Sequence, residues 1–163
     1  MLRYWGRENG IHLVLLSHRD AGIVLPALLR AAAESIPEDE LMRDTECSAS
    51  GLSKTADDFR AIVQDDLSVD PGNMNLPWPV NWTSWKRIEP GSRLSADVYL
   101  GGDSILLGVD QQKLTALVWI MCRLAADFDD ASFLEKLGCS KTEVLSLALD
   151  AQLLLEVLQA CED

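Results

Sequence analysis

SKTEVLSLALDAQLLLEVLQAC, Ser140 to Cys161, is the stretch whose reading decides the fold class. Ser140-Lys141-Thr142-Glu143 has the form of a capping box, in which the serine and glutamate side chains satisfy amide groups at the start of a helix. Val144, Leu145, Leu147, Ala148, Leu149, Leu153, Leu154, Leu155, Val157 and Leu158 then make most of the helix circumference apolar. A helix covered on one side only shows a narrower stripe, so this one is expected to be central, to cover a subunit contact, or both.

Upstream the pattern repeats on a smaller scale. Asp129 and Asp130 open a short helix that Gly138 ends. Asp110 caps a helix over 111–127, nearly as apolar, with Trp119, Ile120, Met121 and Leu124. Gly101-Gly102-Asp103 separates Ala96–Leu100 from Ser104–Val109, which is the pattern of a β-hairpin. Val69 to Gly91 is different in kind. It holds Pro71, Pro77, Pro79 and Pro90 together with Trp78, Trp82 and Trp85, and no period of 2 or 3.6 survives, so an ordered surface loop is expected.

In the first half, Ile11-His12-Leu13-Val14-Leu15-Leu16 follows Asn9-Gly10 and reads as a buried strand, a helix start being the alternative for so short a run. Leu25-Pro26 begins a helix to about Ser35, since proline suits the first helical turn. A longer helix from Asp20, kinked at Pro26, is the other possibility. Pro37 ends that element, and Glu38 to Ser50 is expected to be a loop or a short exposed helix. Ser53 or Thr55 caps a helix to about Leu67 with Ala56, Phe59, Ile62, Val63 and Leu67 on one face and Asp57, Asp58, Asp65 and Asp66 largely on the other. The expected fold is α+β: one mostly helical domain, 1–163, with a small antiparallel sheet (hairpin 96–109) and an apolar C-terminal helical layer.

Charge is unevenly placed. Eleven carboxylates lie between Glu34 and Asp70 against Arg43, Lys54 and Arg60, whereas the first 33 residues carry a small positive excess. The whole chain is at −12, with 14 basic residues against 26 acidic ones. Phosphate binding needs a basic surface, so nucleic acid and anionic membranes are not expected as partners. No apolar stretch in the sequence reaches the roughly 18 residues of a membrane span, and no signal-peptide core is visible. Four scattered cysteines read as reduced thiols in a cytoplasm.

Catalytic equipment is sparse. No Cys-x-x-Cys, His-x-x-x-His or calcium-loop spacing is present, so no metal or other cofactor is expected. There is no Gly-x-Ser-x-Gly, and both histidines, His12 and His18, precede residue 20. Gly101-Gly102 lies in a turn signal rather than between a strand and a helix, unlike a nucleotide loop. Leu134 to Ala148 has the spacing of a helix-turn-helix, but nine acids against Lys136 and Lys141 from Asp127 onward would repel phosphate.

These features favour a binding protein over an enzyme. The candidate partner-binding residues are Glu38, Asp39, Glu40, Asp44, Glu46, Asp57, Asp58, Asp65 and Asp66, with Trp78, Trp82 and Trp85 as rigid apolar anchors or, alternatively, as core filling. In size and charge the chain is similar to bacterial immunity proteins, a likeness of class that no particular motif carries. It implies a basic protein partner, a toxin or an effector, and a monomer or a homodimer. Two alternatives are a small acidic dimeric secretion chaperone and an enzyme working with carboxylates alone.

Overall fold

The computed structural model describes residues 2–8, 11–17, 19–63, 85–88, 93–95, 98–99, 104–109 and 111–162. In chain order these form β1 (Leu2–Glu8), β2 (Ile11–Ser17), a π turn (Asp20–Val24), α1 (Leu25–Ser35), α2 (Glu38–Thr45), α3 (Ala49–Val63), β3 (Trp85–Ile88), β4 (Arg93–Ser95), β5 (Val98–Tyr99), β6 (Ser104–Val109), α4 (Gln111–Asp127), α5 (Asp130–Leu137) and α6 (Lys141–Glu162). The fold is α+β and mostly helical.

Helix ends follow local chemistry. Pro26 sits in the first turn of α1, and the Leu25 N–H reaches back to the Asp20 carbonyl, so the π turn runs straight into the α-helix. Both starts read from the sequence are thus partly realised. Ile36 leaves the helix in extended backbone (φ −95°, ψ 132°), as the residue before Pro37 must. Asp129 Oδ1 accepts the Ser132 N–H (2.7 Å) at the start of α5. Gly138, at φ 68°, ends that helix, its N–H donating to the Leu134 carbonyl (2.9 Å). A Cβ there would meet nothing within 4 Å, so the left-handed backbone, and not space, calls for glycine. Ser140 Oγ accepts the Glu143 N–H (3.1 Å), and α6 begins.

Two readings need correction. Glu38–Thr45 is the short helix that was one of the two forms expected there, but α3 begins at Ala49, capped by Ser48 Oγ accepting the Gly51 N–H (3.0 Å). Ser53 and Thr55 are interior, and the Thr55 hydroxyl donates to the Gly51 carbonyl one turn back (2.8 Å). Residues 2–8, to which the sequence assigned no element, form β1. Two residues, Asn9-Gly10, separate it from β2, the spacing and composition of a hairpin connection.

The second correction concerns the expected hairpin at 96–109. The antiparallel sheet has the order β1-β2-β6-β3, and β5 pairs instead with β4. Ser104–Val109 is a strand as expected, but its neighbours are β2 (Leu16↔Ile105, Val14↔Leu107) and β3 (Trp85↔Leu107). Ile105-Leu106-Leu107 is a continuous apolar run, which suits a strand paired on both edges better than the arm of an isolated hairpin. Trp85 accordingly belongs to a strand and not to the expected loop.

The helices cover the sheet through aliphatic stripes. Leu25, Leu28, Leu29 and Ala32 on α1, and Leu114, Leu117, Ile120, Met121 and Leu124 on α4, are all buried at helical spacing. Leu16 of β2, Leu25, Leu117 and Leu147 line one small apolar gap, so β2, α1, α4 and α6 meet there. α6 is central on one face: Val144, Leu147, Ala148, Ala151, Leu154, Leu155 and Leu158 are buried.

Candidate functional site

α2 is the acidic element, and its position follows from two buried side chains. Leu41 is fully buried, and Thr45 is buried with its hydroxyl donating to the Leu41 carbonyl (2.7 Å). Thr45 Oγ1 also accepts the Cys47 N–H (3.2 Å), and the Cys47 thiol lies against the Thr45 carbonyl (3.2 Å). Burial pushes that thiol up to about 11, so it stays protonated and acts as packing. Between Thr45 and Cys47 the chain turns through Glu46 in the left-handed region, φ 58°. Among the described residues no other non-glycine has positive φ. A side chain there costs about 1 kcal/mol relative to glycine.

The carboxylates are only partly given to solvent. Glu38 Oε2 accepts the Ala49 N–H (2.9 Å) and so helps to cap α3. Glu40 pairs with Arg123 of α4, which also holds Asp127 (2.8 Å) and lies 5.8 Å from the Trp119 ring centroid. Asp44 pairs with its neighbour Arg43 (3.0 Å), Glu46 accepts from Gln112, and Asp57 on α3 pairs with Arg30 on α1. Asp39 is exposed in the first turn of α2, where the helix dipole favours an anion. Glu38, Asp39, Asp44, Glu46 and Asp57 are exposed, and Glu38, Glu40 and Asp57 also join α2 to α3, α2 to α4 and α3 to α1. Asp58 lies on α3 and Trp85 on β3, with side chains outside the description. Asp65, Asp66, Trp78 and Trp82 lie outside the described residues altogether.

What remains is a local acidic surface. Residues 38–46 hold five carboxylates, against Arg43 and the incoming Arg123. Between the end of α2 and the start of α4 lies an open hollow of about 520 Å³, lined by Arg43, Asp44, Thr45, Glu46, Gln111, Gln112, Thr115 and Ala116. Its lining offers two carboxylates, amides and hydroxyls. The Gln111 side-chain nitrogen is buried with no hydrogen-bond partner, and the Thr115 hydroxyl donates to the Gln111 carbonyl (2.8 Å). Arg43 is held firmly charged by Asp44. Among the described residues no histidine or cysteine lines the hollow. Such a lining accepts and donates hydrogen bonds and attracts cations; it has no nucleophile or base that titrates near neutrality.

Two carboxylates with shifted pKa lie elsewhere, and both move downward. Asp129 is lowered by the backbone amide it caps, and Glu143 by the guanidinium of Arg19. These are the shifts of a cap and an ion pair, opposite to the raised value a carboxylic acid catalyst needs. Among the described residues no group of three or more His, Cys, Asp and Glu side chains is placed to hold a metal ion.

The sequence signal for the hollow was the charge run from Glu38 to Glu46. No local signal pointed to Gln111, Gln112 or Thr115, which reach the hollow from a helix more than sixty residues away. No protein-family model, curated protein or solved structure matches the chain.

Proposed function

We propose that this chain is an acidic protein-binding module that neutralises a basic protein partner through α2 and the hollow between α2 and α4. The observation that carries the reading is the pairing of Asp44 and Glu46 at the rim of a polar hollow, one of them held there by a left-handed backbone. Backbone strain at an exposed acidic residue has no evident use for stability, because glycine would relieve it. A lysine or arginine entering the hollow would meet both carboxylates, and Arg43 would set its orientation.

In its sharper form the partner is a bacterial toxin, and the chain occludes a basic, phosphate-binding surface of it in the cytoplasm. Class similarity in size and charge to immunity proteins supports that form. Calorimetric titration with an arginine-rich peptide, the simplest basic probe, tests the site. Binding that weakens steeply with added salt, and is lost in Asp44→Asn/Glu46→Gln, is expected. Salt-independent binding, or none, counts against it.

The second reading is the small acidic dimeric secretion chaperone. The outward leucines of α6 favour it, since a chaperone holds an extended partner by apolar contact. Affinity for an extended apolar peptide that persists at high salt would separate it from the first.

A further inference from the structure

Among the described residues no strand lies beyond β1 in the order β1-β2-β6-β3. An antiparallel pair alternates between residues that exchange both backbone bonds and residues whose groups turn away. The Leu2 N–H donates to Asp150 Oδ2 (3.1 Å), so Leu2 turns away from Leu16, and Arg3↔Leu15 is the bonded pair. Tyr4 is then directed outward like Leu2. At the other end the two-residue connection makes Glu8↔Ile11 a bonded pair and turns the Arg7 backbone outward. The register shift between Tyr4 and Gly6 takes up the odd residue. We propose that an extended segment of a basic protein pairs with this edge and continues the sheet by one strand.

The surface beside the edge suits such a strand. A groove of about 270 Å³ runs between β1 and α6, lined by Leu2, Tyr4, Asp150, Leu153, Leu154 and Val157. Side chains of an added strand that lie opposite Leu2 and Tyr4 share their face of the sheet. They rest in the groove against Leu153 and Val157, 51% and 53% exposed, and beside Tyr4, 44% exposed. The main chain supplies affinity, and apolar side chains at alternate positions supply specificity.

The backbone and the charge select the occupant. A helix or a lipid could fill the groove but would leave the outward N–H and C=O groups of β1 unused. Asp150 is the only charged residue among those lining the groove, so a lysine at the end of the segment meets a carboxylate and no cation. A second copy of the chain would bring −12 against −12, whereas a basic segment is drawn in. No residue lines both this groove and the acidic hollow, so the strand contact and the proposed binding site stand or fall separately.

The probe is a short peptide of alternating valine and threonine with lysine at each end, added to the full chain. Amide exchange read by NMR should slow at Tyr4 by about tenfold or more, and should not change at Arg3, whose N–H already serves β2. Tyr4→Pro removes an outward donor without touching the ladder, and edge strands tolerate proline. It should weaken peptide binding about tenfold while the circular dichroism stays native, whereas Tyr4→Val keeps the donor and should bind nearly as the parent does. Leu153→Asp, in the groove, should weaken binding, and Leu145→Asp, on the same helix but outside the groove, should not. Where Tyr4→Pro fails to fold, amide exchange in the parent chain still decides. Unchanged Tyr4 exchange at millimolar peptide overturns the proposal, as does a folded Tyr4→Pro that binds like the parent. So does a Tyr4 amide slowed without peptide in a particle of twice 18.0 kDa, which would give the edge to a second copy. Equal losses in Leu145→Asp and Leu153→Asp would overturn it too, by placing the peptide along the helix and not on the strand.

Discussion

α2 carries five charged residues in eight, whereas α6 carries five in twenty-two. Their relation to the rest of the molecule is the reverse of what exposure suggests. On α2, Glu38, Glu40 and Asp44 are each engaged within the chain, and the helix is docked by one leucine and one threonine. On α6, four large aliphatic side chains face outward. Charge here serves largely to join elements, and the surplus available for association is apolar. The lesson is that a run of carboxylates in sequence does not measure the field it presents, because arginines from distant helices neutralise part of it.

The sharpest way to break this comparison uses two neighbouring leucines of α6. Leu154→Ala should lower stability by about 2–5 kcal/mol, because it opens a cavity in the core, while Leu153→Ala should change it by less than about 0.5 kcal/mol in dilute solution. Equal losses in chemical denaturation would refute the assignment of inner and outer faces.

On α2 the test is Thr45→Val. The buried Cys47 N–H would lose its acceptor, and a loss of about 1–3 kcal/mol is expected. The turn at Glu46 depends on that contact, so affinity for the arginine-rich peptide should fall with it. Retained affinity would mean that the rim does not need the turn.

Glu46→Gly separates stability from binding. Relief of the left-handed side chain should raise stability by up to about 1 kcal/mol, while removal of a carboxylate from the hollow weakens peptide binding. A variant both less stable and unchanged in binding would contradict the role given to that strain.

The smallest expected effect is on pH. Glu143 is lowered by Arg19 in the folded chain, so its contribution is fully present above the ordinary carboxylate range and is lost as pH falls through the lowered folded value. Both groups are partly exposed, so solvent screening keeps the contribution of the pair small. Glu143→Gln should lower stability slightly at neutral pH and converge with the parent as pH falls through the lowered value, which flattens the acid limb. An equal drop at every pH would point to packing and not to charge.

What could be read from the chain has a physical pattern. The boundaries of α5 and α6 were legible because Asp129, Gly138 and Ser140 each act within three or four residues of themselves. The end of α1 was legible because Pro37 restricts the residue before it. β1 was missed because Arg3, Arg7 and Glu8 hide the apolar partners of a strand whose recognition depends on β2 and on the Asn9-Gly10 spacing. Ser48 was passed over as the cap of α3 because Ser53 and Thr55 are equally good local candidates, and the choice among them rests on how α2 meets α3. Of the candidate site, the acidic residues were visible in sequence, but not which of them are engaged by Arg30 and Arg123.

Net charge, helix caps and the apolar surplus of residues 140–161 belong to the order of residues, since each depends on neighbours within a turn of chain. The place of β6 between β2 and β3, the pairing of Glu40 with Arg123 and the choice of which leucines of α6 face inward do not. Each brings together groups that lie tens of residues apart, and burial against the assembled core decides among local options that are otherwise nearly equal in free energy.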